Sequence, residues 1–149
     1  MQCWKRCRFW KPAAPVTLSL NGNEASILAR LLGLEPAQEE NECLRLAGEL
    51  GKKIGVSTIV IHKLKFAVSA GPDGGFLTQG PFCERPLKST GAGDRFNAGY
   101  CLGLLAGAAP EDCLILGSAA SGFFVRNAQS ASRDELMQFL RQSATGTIP

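Results

Sequence analysis

The chain is poor in the groups that hold metals. Of its 149 residues one is a histidine, His62, and its six cysteines (Cys3, Cys7, Cys43, Cys83, Cys101 and Cys113) contain no Cys-x-x-Cys pair. A zinc site is therefore not expected. It also lacks a long apolar run. Residues 98–109 and 113–125 are apolar, but Pro110-Glu111-Asp112 divides them, and each is short of the about 20 residues that a spanning helix needs. No membrane partner is expected. The first twelve residues have no apolar segment of the secretory kind, so the expected compartment is a reducing cytoplasm, with thiols free rather than paired. A net charge of +3 is too mild to argue for nucleic acid. No Gly-x-x-x-x-Gly-Lys-Ser/Thr run is present, which excludes a P-loop enzyme. No complete Gly-x-Gly-x-x-Gly follows a strand, which argues against a dinucleotide oxidoreductase.

What remains is enough to fold. The chain is 45% hydrophobic and 19% charged, a composition that builds a core, and its length suits one domain. Periodicity places a strand over about 16–20 and helices over about 23–33 and 36–53. The β-branched run Val56 to Ile61 reads as a buried strand. Strands at 66–70 and 75–79 flank Gly71-Pro72-Asp73-Gly74, a strong hairpin turn signal. A further short strand is expected over 82–86. Helices follow over about 92–106, 111–127 and 132–142, the last opened by Ser132-x-x-Glu135, a capping box. Cys101 and Cys113 fall in apolar helical patterns and read as buried thiols. Gly99, Gly103 and Gly107 are spaced for the close approach of a neighbouring helix. Alternating strands and helices argue for an α/β layout. The leader, residues 1–14, mixes Trp, Arg and Lys and reads as a disordered tail, leaving 15–149 as the folded domain.

The chemistry concentrates in Ser89-Thr90-Gly91-Ala92-Gly93-Asp94-Arg95-Phe96-Asn97-Ala98-Gly99. Small residues come first, a carboxylate follows, and the pattern then turns helical. A loop feeding a helix N-terminus presents unpaired N–H groups and the positive end of the helix dipole, so a phosphate is welcome there. Asp94 would stand beside it in the first turn. The plainer reading is a glycine-rich turn with Asp94 as a cap. Upstream, Val16 to Leu20 is followed by Asn21-Gly22-Asn23-Glu24 and a helical stretch, an arrangement that capping alone accounts for.

The run resembles the second signature of the PfkB (ribokinase-like) carbohydrate kinases, Asp-Thr-x-Gly-Ala-Gly-Asp-x-Phe-x-Ala-Gly. Thr90 through Asp94, Phe96, Ala98 and Gly99 stand as that pattern asks, while Lys88 and Ser89 replace its opening Asp-Thr. The resemblance implies a ribokinase-like three-layer αβα sandwich, here without the family's N-terminal half and its lid. It implies that Gly91, Ala92 and Gly93 form the anion hole for the transferring phosphoryl group and that Asp94 is the base on the sugar hydroxyl. Asn21 and Glu24 match the family's Asn-x-x-Glu and are expected near hydrated Mg²⁺ and the nucleotide phosphates, with Glu24 acting on the metal through water. Thr90, His62 and Asn127 are further candidates for nucleotide contact. For His62 the stronger reading is a strand-end residue with a local hydrogen bond, because a lone histidine without partners is not a site.

The expected cofactors are ATP and Mg²⁺, and the expected partner is a sugar or sugar-phosphate substrate. A homodimer or the missing N-terminal half is a further expected partner. The competing expectation is a non-catalytic kinase fragment or nucleotide-binding module that needs a partner chain. The sequence departs from the family after the strand at 56–61, where many members carry Thr-x-Gly-x-x-Gly and this chain reads His62-Lys63-Leu64-Lys65-Phe66-Ala67.

Overall fold

In the computed structural model, residues 14–146 are described; the proposed leader, with Cys3 and Cys7, lies almost wholly outside them. Four strands form one sheet in the order β1-β2-β3-β4: β1 (Thr17–Asn21), β2 (Thr58–His62), β3 (Phe66–Gly71) and β4 (Gly74–Gln79). Five helices accompany them: α1 (Gly22–Leu31), α2 (Glu40–Ile54), α3 (Ala92–Leu105), α4 (Pro110–Asn127) and α5 (Arg133–Ala144). The chain divides into two compact units. Among the described residues, one holds 14–61 with Val68–Phe76; the other holds His62–Ala67 and 77–146.

In the first unit, Val16 starts the pairing of β1 with β2. Its carbonyl accepts from the backbone N–H groups of Ser57 and Thr58, and its own N–H donates to the Ser57 hydroxyl at 3.1 Å. Ile59, Val60 and Ile61 are all buried. Successive residues of a strand point to opposite faces, so both faces of β2 are covered. On α2, Cys43, Leu46, Ala47 and Leu50 are buried, the apolar stripe that an amphipathic helix lays on a sheet. Glycines let this helix lie close: a Cβ on Gly51 would sit 3.6 Å from Ile59 Cγ1, and one on Gly75 of β4 would sit 3.1 Å from Leu44 Cδ1. The hairpin joins β3 to β4 through Pro72-Asp73, and Gly74 takes φ +113°, a conformation that side chains disfavour.

The second unit is built on α3 and α4. Their contact depends on missing side chains. A Cβ on Gly99 would meet Leu116 O at 2.5 Å, one on Gly103 would meet Cys113 Sγ at 2.8 Å, and one on Gly117 would meet Phe96 Cε2 at 3.0 Å. Phe96 stacks on Tyr100 at 6.3 Å between ring centroids, and burial pushes the Tyr100 hydroxyl up to about 12. Farther along α4, Ala119 and Phe123 form a buried cluster with Phe139 of α5. Ser132 caps α5: its hydroxyl accepts from Glu135 N–H, and the Glu135 carboxylate accepts from Ser132 N–H at 2.7 Å.

Four expectations are corrected. No strand forms over 82–86. Pro81 and Pro86 supply no N–H to a ladder, and the Arg126 guanidinium takes the carbonyls of Pro81 and Phe82 at 3.0 and 2.7 Å. Helix α2 begins at Glu40 rather than 36, because the Glu42 carboxylate accepts from the N–H groups of Gln38 and Glu39 and sets the cap there. Cys113 is buried but Cys101 is exposed, since it faces away from α4. Gly107 does not pack against a helix; it ends α3 in a left-handed turn, φ +70°, with open space around it. Among the described residues no helix is long and apolar enough to cross a membrane.

Candidate functional site

The candidate phosphate loop lies at the start of α3, in the second unit. Gly91 is the residue before the first helical turn, with φ +93° and ψ 2°. That left-handed conformation, at the entry of a helix, is strained for any residue with a Cβ. It also lets the chain turn without a capping side chain, since Gly91 has none to offer to the first N–H groups of α3. Ala92 N–H closes the turn on Ser89 O at 3.0 Å, and Arg95 N–H opens the helical ladder on Gly91 O at 3.2 Å. The backbone donors of Gly93 and Asp94, between them, are among the orphans that every helix start presents.

The side chains around this loop come from three elements. Asp94 is exposed, in the first turn of α3; its Oδ2 would lie 4.0 Å from a Cβ on Gly91. The Phe124 ring, from α4, lies behind Gly91 at 3.6 Å from the same point. His62, at the end of β2, stacks on Phe96 with ring centroids 4.7 Å apart and an interplanar angle of 26°. Its Cε1 would lie 3.2 Å from a Cβ on Gly93. A side chain at 93 would press on the His62 ring, and the left-handed conformation at 91 favours glycine. Thr90 is exposed, next to Gly91.

The structure thus brings together His62, Thr90, Gly91, Ala92, Gly93 and Asp94. Asn127, at the end of α4, donates through Nδ2 to Phe123 O at 2.9 Å, a bond within its own helix. Asn21 and Glu24 belong to the other unit and form a complete capping box on α1. Asn21 Oδ1 accepts from the N–H groups of Asn23 and Glu24, both at 2.9 Å, and Glu24 Oε2 accepts from Asn21 N–H at 2.7 Å. One Glu24 oxygen and the Asn21 amide nitrogen stand outside those three bonds.

Sequence reasoning missed two neighbours of the loop, Phe124 and Arg95; Lys88, the charge reversal that precedes the loop in sequence, joins them there. Lys88 Nζ lies 5.6 Å and Arg95 Cζ 5.1 Å from the Phe124 ring centroid. The sequence signal was there in part, since Lys88 and Arg95 flank the Gly-Ala-Gly-Asp run. The aromatic that gathers them is about thirty residues downstream and visible only in the fold.

Among the described residues no group of three or more His, Cys, Asp or Glu side chains could hold a metal ion. A Mg²⁺ bound with nucleotide needs no such cluster, because nucleotide oxygens and water supply most of its ligands and one or two carboxylates the rest; Asp94 is the carboxylate in the first turn at this loop.

Comparison with known proteins identifies the family and the fold. The family profile described as prokaryotic ketohexokinase matches residues 4–143. A ketohexokinase from Haloferax volcanii is 32% identical over 127 residues, covering 85% of this chain and 33% of its own length. Among solved structures, a putative phosphofructokinase from Staphylococcus aureus superposes with a TM-score of 0.72 at 17% identity, over 88% of this chain and 41% of that one. Arabidopsis thaliana ribokinase, complexed with ribose and ATP, gives 0.71 at 21% identity, over 84% and 40%. The fold is ribokinase-like, and the chain spans about a third of the length of the curated relative it matches.

Proposed function

Because this chain belongs to the prokaryotic ketohexokinase family, we propose that it supplies the phosphoryl-transfer portion of an ATP-dependent sugar kinase whose acceptor is a ketohexose. The observation that carries the reading is the uncapped α3 N-terminus, with Gly91 at φ +93° and Asp94 in the first turn. In this reading the N–H groups of Gly91, Gly93 and Asp94 receive the equatorial oxygens of the γ-phosphoryl group, and Ala92, whose N–H closes the turn on Ser89 O, holds the loop that presents them. Charge accumulates on those oxygens in a loose transition state, and fixed donors stabilise it without reorganising. The Asp94 carboxylate accepts the hydroxyl proton of the sugar as the new O–P bond forms and the β–γ bridging bond breaks. Asp94 is exposed, which lets an acceptor reach it directly.

The other residues position the nucleotide. Thr90 and His62 border the loop and are assigned to the phosphates, His62 held in place by Phe96. Asn127 is assigned to the nucleoside end. Glu24 keeps one oxygen outside its cap and is assigned to hydrated Mg²⁺; when bound, the ion would supply charge neutralisation. A second reading is a nucleotide-binding module that acts with a partner chain; the residues given span 33% of the length of the curated relative, and transfer needs orientation and water exclusion beyond the loop itself.

The test is a ketohexose-dependent ADP release assay on the chain and on Asp94→Ala, with Mg·ATP binding followed in parallel. Turnover that Asp94→Ala removes while binding persists supports the kinase. Binding without turnover in either protein supports the module. Turnover unchanged by Asp94→Ala overturns the assignment of the base.

A further inference from the structure

Lys88 precedes the phosphate loop and Arg95 follows it, and the two side chains converge on one aromatic ring. Arg95 Cζ stands 5.1 Å and Lys88 Nζ 5.6 Å from the centroid of Phe124. The same ring lies 3.6 Å from the place where Gly91 would carry a Cβ. A helical side chain leans back toward the N-terminus of its helix, so the Arg95 guanidinium, from the first turns of α3, reaches the ring that backs Gly91. Two cations beside one ring repel each other. Among the described residues neither has a carboxylate within ion-pair distance; Asp94, the nearest in sequence, makes no such pair. The Nε of Arg95 is buried and has no acceptor. A guanidinium offers five donors in a rigid fork and is suited to oxyanions. Here one donor is withdrawn from water with nothing to bond.

We propose that Lys88 and Arg95, gathered on Phe124, are phosphate-positioning residues that make this site select a chain of two or more adjacent phosphates. The inference rests on the reading of Gly91–Asp94 as the loop that takes the transferring group. The loop amides and the helix dipole carry partial positive charge and satisfy one phosphoryl group. Two full positive charges beside them call for more negative charge than that group brings. The adjoining phosphates of a nucleoside triphosphate provide it, and Phe124 holds the two cations in place by cation–π attraction while the site is empty. A phosphate already present on the acceptor has the same chemistry, and the experiment separates the two sources.

Isothermal titration of the chain with ATP, ADP, AMP and a ketohexose monophosphate, each with Mg²⁺, provides the test. It is run on the unsubstituted chain and on Lys88→Gln, Arg95→Gln, Arg95→Lys and Gly93→Val, with melting curves to confirm that each variant folds. Expected is a loss of about tenfold in ATP affinity for Lys88→Gln and for Arg95→Gln, a smaller loss for ADP, no change for AMP, and recovery of most of the loss in Arg95→Lys. The losses shrink as salt is raised. Gly93→Val, which obstructs the loop, removes ATP binding altogether. If Gly93→Val removes binding and the two charge variants do not, the loop reading stands and the role of the cations is overturned. If Gly93→Val binds ATP normally, the loop reading itself falls. Weakened binding of the ketohexose monophosphate with ATP unaffected would place the second phosphate on the acceptor and overturn the assignment to the nucleotide. Equal losses for AMP and ATP, or no ATP binding by the unsubstituted chain, would also overturn it.

Discussion

Two helices in this protein begin in opposite ways. Helix α1 starts with a closed circuit: the Asn21 side chain takes two backbone N–H groups and Glu24 returns to the Asn21 N–H. Helix α3 starts on a glycine in a left-handed conformation, with no side chain on its first donors. Both openings are small and polar in sequence, and both carry an acid in the first turn. The difference is where the acid points. Glu24 is used on its own backbone, so the α1 terminus has little left for a ligand beyond one carboxylate oxygen. Asp94 leaves the α3 amides to whatever comes from outside. Helix α4 shows that a missing cap alone is not a site: it too has no capping side chain, but Pro110 removes one orphan donor and Glu111 and Asp112 complement its dipole.

The largest expected effect breaks the α3 side of that comparison at its chemistry. Asp94→Ala is expected to lower phosphoryl transfer by about 10²–10⁴-fold, measured as ketohexose-dependent ADP release, with ATP affinity kept. Next comes the support under the loop. Gly99→Ala places a Cβ 2.5 Å from Leu116 O, which forces α3 away from α4. A loss of roughly 1–3 kcal/mol in denaturant unfolding is expected, together with weaker ATP binding. Removing the α1 cap tests the other side: Asn21→Ala is expected to cost about 1 kcal/mol of stability, whereas Gly91→Asn, a residue that tolerates the left-handed region and can cap, should fold and bind ATP less well because its side chain occupies the amides. The smallest effect concerns α5, capped like α1. Hydrogen bonds from Ser132 hold the Glu135 carboxyl below the usual carboxylate range. A depressed folded-state value adds stability above the unfolded value, about 4.3, and loses it as pH falls through the lower folded one. The acid limb of a pH–stability curve should therefore flatten slightly in Ser132→Ala and in Glu135→Gln.

Much of this was legible in the sequence, for local reasons. The Gly-Ala-Gly-Asp run, the Ser132 capping box and the Gly71-Pro72-Asp73-Gly74 hairpin are short-range devices, and each forms where its residues stand. The ribokinase-like fold followed from the same run and the order of elements. What was not legible depends on partners far along the chain. Residues 82–86 have strand-like composition only in part, and it is Arg126, some forty residues later, that claims their neighbouring carbonyls. The apolar pattern around Cys101 gives no sign of which side of α3 meets α4; the contact through Gly99 and Gly103 decides that and leaves Cys101 outside. The Phe124 platform is of the same kind, since nothing near Gly91 in sequence announces it. His62 was open between a ligand role and a local one, and its stacking on Phe96 beside Gly93 puts it at the loop under either.

The central claim is that the α3 amides are held open for a phosphate. The most direct measurement follows the backbone amide resonances of Gly91, Ala92, Gly93 and Asp94 by NMR while Mg·ATP is added to the chain. The account predicts saturable shifts at Gly93 and Asp94, larger than any at the Asn23 and Glu24 amides closed within the α1 cap. Saturable ATP binding that leaves the Gly91–Asp94 amides unmoved, or shifts centred on Asn23 and Glu24, would contradict it.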